Sequence, residues 1–152
     1  RVSIYVHRPE TKTFVPCGRF SYNPTLKAKG RTSFPDDQGC IAKAWEEDWH
    51  FCVDFPDTSR SGPYIDYLLH TYRIPRDVGR SLKMKPKLVA AKRISLNGSG
   101  VAIIVFESTD KGNFTEDQLK ERLAAASVEY GQMIKSIQKY IPNPSRAAEV
   151  GL

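Results

Sequence analysis

The sequence predicts one α+β domain. Three features carry that prediction: a β-hairpin at the start, a second hairpin with an unusually apolar strand, and a long, well-signposted helix at the end. At 152 residues the chain is long enough for a single domain with a full core, and two would be cramped. Hydrophobic residues at 40% and charged residues at 26% place it among globular chains rather than disordered ones.

The opening hairpin is read from alternation. Val2, Ile4 and Val6 alternate with polar neighbours, Pro9-Glu10-Thr11-Lys12 makes a turn, and Phe14-Val15-Pro16-Cys17 begins the return strand. No initiator Met precedes Arg1, and the chain starts as a strand already under way, so a truncated N-terminus is expected. Residues 23–37, with prolines, a glycine and cations but little periodicity, read as a long loop, of the kind that often covers a ligand. Asp36 or Asp37 is expected to cap a short helix in which Ile41, Ala44 and Trp45 share a face. Trp49–Val53 reads as a short strand. Ser61-Gly62-Pro63 then starts a helix with proline suited to its first turn, and Ile65, Leu68, Leu69 and Tyr72 supply its apolar stripe. Pro75 interrupts it, and Val78 and Leu82 suggest a further short helical turn.

Leu88–Leu96 and Val101–Phe106 are the clearest strand pair, because Asn97-Gly98 between them is the strongest short hairpin signal. Val101–Phe106 is apolar throughout and is expected at the centre of the sheet, covered on both faces. The last helix opens with a capping box, Thr115 and Gln118, and Phe114 and Leu119 are placed to form a hydrophobic staple. Leu119, Leu123, Ala126, Tyr130, Met133, Ile137 and Tyr140 then recur at alternating steps of four and three. Such a heptad seam packs either on the sheet of its own domain or against the same helix of a second copy. Its regularity favours a homodimer, with residues from Leu119 to Ile137 at the interface. Residues 142–152, with two prolines, are expected to be a loosely ordered tail.

The net charge is +6. Arg73, Arg76, Arg80, Lys83, Lys85, Lys87, Lys92 and Arg93 fall in one stretch whose only acid is Asp77, and Lys27, Lys29 and Arg31 form a smaller group. Runs of this kind are usually solvated, and their functional reading is an anionic ligand or surface. The three cysteines, Cys17, Cys40 and Cys52, fit no zinc or CxxC spacing and read as reduced residues of a cytoplasmic protein. No apolar run approaches the roughly 18 residues that span a bilayer.

Three stretches, in this order and spacing, resemble GAF domains. Gly39-Cys40-Ile41-Ala42-Lys43-Ala44-Trp45 is similar to their G-hydrophobic-x-small-x-A/V-aromatic helix, and Gly100–Ser108 to their penultimate strand, which ends in an acidic residue and Ser. Phe114-Thr115-Glu116-Asp117, followed by Leu119 and Leu123, resembles the start of their closing helix. The resemblance implies a central antiparallel sheet with helices on both faces, a ligand pocket on one face, and terminal helices that commonly mediate dimers. It implies a regulatory, non-catalytic domain of a larger signalling or defence protein, spanning residues 1–141 and lacking the family's first helix. Two departures stand out: Ala90-Ala91-Lys92-Arg93 lacks a proline usual in that strand, and the N-K-x-F-D-E signature of cyclic-nucleotide binders is absent.

Chemistry offers weaker alternatives. His7, His50 and His70 sit in no triad context, and no HExxH, phosphate loop or EF-hand pattern appears, so neither a metal nor a cofactor is called for. Cys40 and Cys52 fall in segments suited to the thiol pair of GAF-type methionine sulfoxide reductases, but that family's cysteine motif is not reproduced near Asp54-Phe55-Pro56-Asp57. A nucleic-acid contact would use Arg73–Arg93, though no base-reading motif accompanies it. The favoured reading is a small, plausibly anionic ligand. Its candidate contacts are Phe34, Cys40, Trp45, Tyr64, Leu68 and Arg73.

Overall fold

Strand β1 (Val2–Arg8) and strand β2 (Thr13–Phe20) form the expected opening hairpin in a computed structural model that describes residues 1–27 and 30–137. The loop that follows is more structured than the sequence suggests. It contains a 3-10 helix at Pro24–Leu26, with Asn23 accepting from the Thr25 N–H, and a two-residue strand β3 (Phe34–Pro35) paired with the start of β2. Helix α1 (Gly39–Glu47) begins after Gln38 without a side-chain cap. Asp36 does not cap it, because its carboxylate is bonded to His7 Nε2 at 3.0 Å. Strand β4 (Trp49–Cys52), helix α2 (Ser61–Tyr72) and the short helix α3 (Arg76–Ser81) follow as expected. Strands β5 (Leu88–Leu96) and β6 (Ser99–Ser108) turn through Asn97 and Gly98, both at positive φ, as a two-residue Asn-Gly hairpin requires. Helix α4 (Glu116–Ile137) closes the described part of the chain.

The six strands form one antiparallel sheet in the order β3-β2-β1-β6-β5-β4. The apolar strand β6 lies between β1 and β5, at the centre, as its lack of a polar face demands. Alternation along the strands then sorts side chains into two cores. Val6, Leu88, Ala90, Ile94, Ala102 and Ile104 face α4. Tyr5, Phe14, Val89, Ala91, Ile103 and Val105 face α1 on the opposite side. Tyr64, Leu68 and Tyr72 of α2 form a third cluster, joined to the second by Cys40 and Phe55.

The seam of α4 is occupied by its own domain. Leu119, Leu123 and Ile134 are buried against β5 and β6, and Ala126 and Tyr130 pack beside them. Met133, expected on the same stripe, is instead exposed, and Ile134 takes its place in the core. The heptad reading put the stripe one residue off there because an undistorted helix drifts about 20° per heptad away from a strict seven-residue repeat. Ile137 ends α4, its side chain outside the described residues, as are Tyr140 and the tail. Thr115 and Gln118 form the predicted capping box, with reciprocal bonds of 3.1 and 3.3 Å.

Candidate ligand-binding site

Strand alternation turns Tyr5 of β1, Val89 of β5 and Val105 of β6 onto the face away from α4, where they floor a cavity of about 230 Å³. The first turn of α1, with Gly39, Cys40 and Ile41, forms one wall, and Tyr64, Leu68 and Tyr72 of α2 form another. Leu82, Met84 and Pro86, between α3 and β5, close a third side. The 3-10 helix and the segment around Gly30, Arg31 and Phe34 cover the remaining opening. The loop that looked ligand-covering in the sequence therefore does border a cavity.

Most of the lining is aromatic or aliphatic. Phe55 stacks between Tyr64 and Tyr72, its centroid 6.1 Å from each, and Tyr5 meets Phe34 edge-on at 5.1 Å. The tyrosine hydroxyls at the α2 wall are already engaged. Tyr64 donates to the Pro86 carbonyl at 3.3 Å, and Tyr72 bonds His50 Nε2 at 2.9 Å. Burial pushes the pKa of Tyr64 and Tyr72 well above the phenol range, so both hydroxyls stay neutral.

The charged lining residues are Arg1, Arg19, Arg31, Lys83 and Glu107. Arg1 and Glu107 form a two-bond pair, Nε to Oε2 and Nη2 to Oε1, each at 2.8 Å. Arg19 donates from Nε to Ser3 Oγ at 3.3 Å, across the β1–β2 ladder. Arg31 lies over the Phe34 ring, its guanidinium carbon 4.4 Å from the centroid, and burial pulls its pKa down.

Four of the six candidate contacts, Phe34, Cys40, Tyr64 and Leu68, line this cavity. The other two do not. Trp45 sits on the last turn of α1, where its ring packs 4.4 Å from His7 and 5.2 Å from Phe14. Arg73 caps α2 in a left-handed conformation (φ 54°), with its N–H bonded to the Leu69 carbonyl, and is exposed. Residues that the sequence reading passed over, chiefly Tyr5, Arg19, Phe55, Met84 and Glu107, complete the lining. Two-residue alternation carries a signal for some of them, because Tyr5 and Glu107 lie opposite the Val6 and Phe106 positions that belong to the α4 side.

Sheet order, helix placement and a cavity opposite the closing helix together specify the architecture, and solved structures share it. The GAF domain of a phosphoenolpyruvate-protein phosphotransferase (ptsP) from Coxiella burnetii matches with a TM-score of 0.62 at 12% identity, over 91% of this chain and 73% of that one. This chain has the GAF fold. The GAF domain of a two-component sensor histidine kinase from Bacillus halodurans matches with a TM-score of 0.56 at 14% identity, over 91% of this chain and 83% of that one. A GAF domain/HD domain protein from Geobacter sulfurreducens gives 0.50 at 13% identity, over 93% and 83%. No family model matches the sequence, and no curated protein matches it.

Four residues of the basic stretch are engaged with neighbours on this GAF fold. Lys92 and Arg93 bond Asp48, Arg76 pairs with Asp66, and Lys85 reaches the Thr58 carbonyl and Ser61. Cys40 is held as a neutral thiol, its pKa driven far up by burial, and Cys52 Sγ is bonded to the Tyr67 hydroxyl at 3.2 Å. Among the described residues no cluster of His, Cys, Asp or Glu is arranged to hold a metal ion, and no helix is long and apolar enough to cross a membrane.

Proposed function

We propose that this GAF-fold chain is a regulatory sensor domain that binds a small organic molecule in the cavity between its sheet and α2. The observation that carries this reading is the cavity itself, about 230 Å³ with walls drawn from the sheet, α1, α2 and the covering loop. A cavity of roughly 150 Å³ takes benzene, so this one suits about ten non-hydrogen atoms. Micromolar affinity for such a ligand requires about 0.8 kcal/mol per atom, well under the ceiling of about 1.5. The regulatory role is supported by the fold shared with GAF domains of a phosphotransferase and a sensor kinase. A non-catalytic role is supported by the state of Cys40, a cysteine lining the cavity, which burial keeps protonated.

The test is Leu68→Trp. Leu68 is 3% exposed and lines the cavity, so a larger ring there occupies the ligand's space. Binders found by thermal shift in a panel of small organic molecules should raise the melting temperature of the native chain and leave that of L68W unmoved. Equal shifts in both proteins would place the binding elsewhere and refute the reading.

A further inference from the structure

We infer that the cavity's ligand is an uncharged aromatic molecule rather than an ion. This rests on the cavity being a ligand site. The first support is how the lining is sorted by depth. Every lining residue that is buried is either apolar or a tyrosine. Ile41, Leu68, Met84, Val89 and Val105 supply the aliphatic part. The tyrosine hydroxyls are spoken for by the protein: Tyr64 by the Pro86 carbonyl, Tyr72 by His50, and Tyr5 by Ser3 and Arg19. An ion set against these residues would leave water and gain no counter-charge, which is a large cost.

The second support is the state of the charged lining residues. Arg1 and Glu107 neutralise each other in their two-bond pair, so neither is open to a ligand of opposite sign. Arg19 is tied to Ser3. Arg31 and Lys83 are exposed and keep their water, and a charge pair formed there gains little. The excess of cations around the opening therefore does not extend to the buried floor.

The third support is the set of rings. Tyr5, Phe34, Phe55, Tyr64 and Tyr72 all line the cavity. Phe55 lies 29° from the plane of Tyr64 and 23° from that of Tyr72, whereas Tyr5 and Phe34 meet at 78°. A ring entering among them gains stacked and edge-to-face contacts beyond its area burial, and a saturated ring of the same size does not. The volume of about 230 Å³ suits one substituted ring, since roughly 150 Å³ takes benzene.

The experiment uses four probes with equal numbers of non-hydrogen atoms: acetophenone, benzoate, benzamidinium and cyclohexyl methyl ketone. Ligand-observed NMR measures each on the native chain, L68W, Phe55→Leu and Phe34→Leu. The native chain should bind acetophenone about tenfold or more tighter than either ion. It should bind acetophenone about threefold or more tighter than the saturated ketone. L68W should lose acetophenone, and each phenylalanine variant should narrow the gap between the two ketones. Cooperative thermal unfolding establishes that the variants fold; if one phenylalanine variant does not, the other decides, and if neither does, the native-chain comparisons decide. Either ion binding as well as acetophenone, the saturated ketone binding as well, or a gap unchanged in the folded phenylalanine variants would overturn the assignment. If an ion or the saturated ketone binds best and L68W blocks it, the cavity reading stands while this assignment falls. If no probe binds, the assignment falls, and thermal shifts from the wider panel decide the cavity reading separately.

Discussion

Gly100 shows how a single residue holds the sheet against α1. A Cβ at this position would stand 2.7 and 2.9 Å from ring atoms of Trp45 and 3.0 Å from Arg93 Cδ. The Trp45 ring is itself held between His7 and Phe14, so it has little room to withdraw. Gly100→Ala should therefore destabilise the chain by about 1–3 kcal/mol, the range for overpacking a filled site. Urea unfolding measures this, and the cost should shrink when Trp45 is also changed to Leu; an unshifted midpoint in the single variant would contradict the steric account. His50 makes a second prediction at this scale. It bonds Tyr72 behind the cavity wall, and burial pulls its pKa below the ordinary 6.5, with Lys43 adding to the effect and Glu47 opposing it. A depressed histidine pKa means that the unfolded chain takes up the proton first. Stability from this group is thus complete above pH 6.5 and is lost as pH falls through the lower folded value. The melting temperature should decline as the pH is lowered from 6.5, and His50→Gln should flatten that decline.

Helix α4 separates what is legible locally from what is not. Its start was legible because a capping box and a staple are made by residues five or fewer positions apart, and both partners of the box bond as expected. Its apolar stripe was legible too, but a stripe does not name what it packs against. The apolar faces of β5 and β6, with Ala90, Ile94, Ala102 and Ile104, decide that, and they cover Leu119, Leu123 and Ile134. The central place of β6 was readable from composition alone, because a strand without a polar face has only one position in a sheet. The cavity was only partly readable. Phe34, Cys40, Tyr64 and Leu68 come from the loop and helices already suspected, whereas Arg19 reaches it through cross-strand register, which no local pattern encodes. The ranking of effects along α4 is a direct check on its packing. Leu123→Ala should cost about 2–5 kcal/mol as a core truncation, and Thr115→Ala about 1 kcal/mol as a lost cap. Val128→Ala, at a position 79% exposed, should fall within about 0.5 kcal/mol of the native chain. A large cost at Val128 with a small one at Leu123 would mean that the helix presents its other face to the sheet.

At the scale of the whole molecule, a single sheet separates the cavity from α4, and neighbouring residues of the central strand face opposite ways. Val105 lines the cavity while Ile104 packs under α4, and Tyr5 and Val6 divide in the same manner on β1. A ligand that tightens the cavity floor therefore acts on strands that also seat the closing helix. It biases that helix only if it binds one arrangement more tightly than another. Occupancy at a hundred times the dissociation constant adds about 2.7 kcal/mol, or roughly 5–10 °C in melting temperature for a chain of this size. Hydrogen exchange then distinguishes simple binding from sensing. With a cavity ligand bound, amides of α2 and of the segment around Arg31 should exchange more slowly, since those elements close over it. If the sheet transmits the event, amides of α4 should also change, although no atom of that helix lines the cavity. Protection confined to α2 and the covering segment would leave a binding site without a route to α4, and the sensing reading would then require a different output surface.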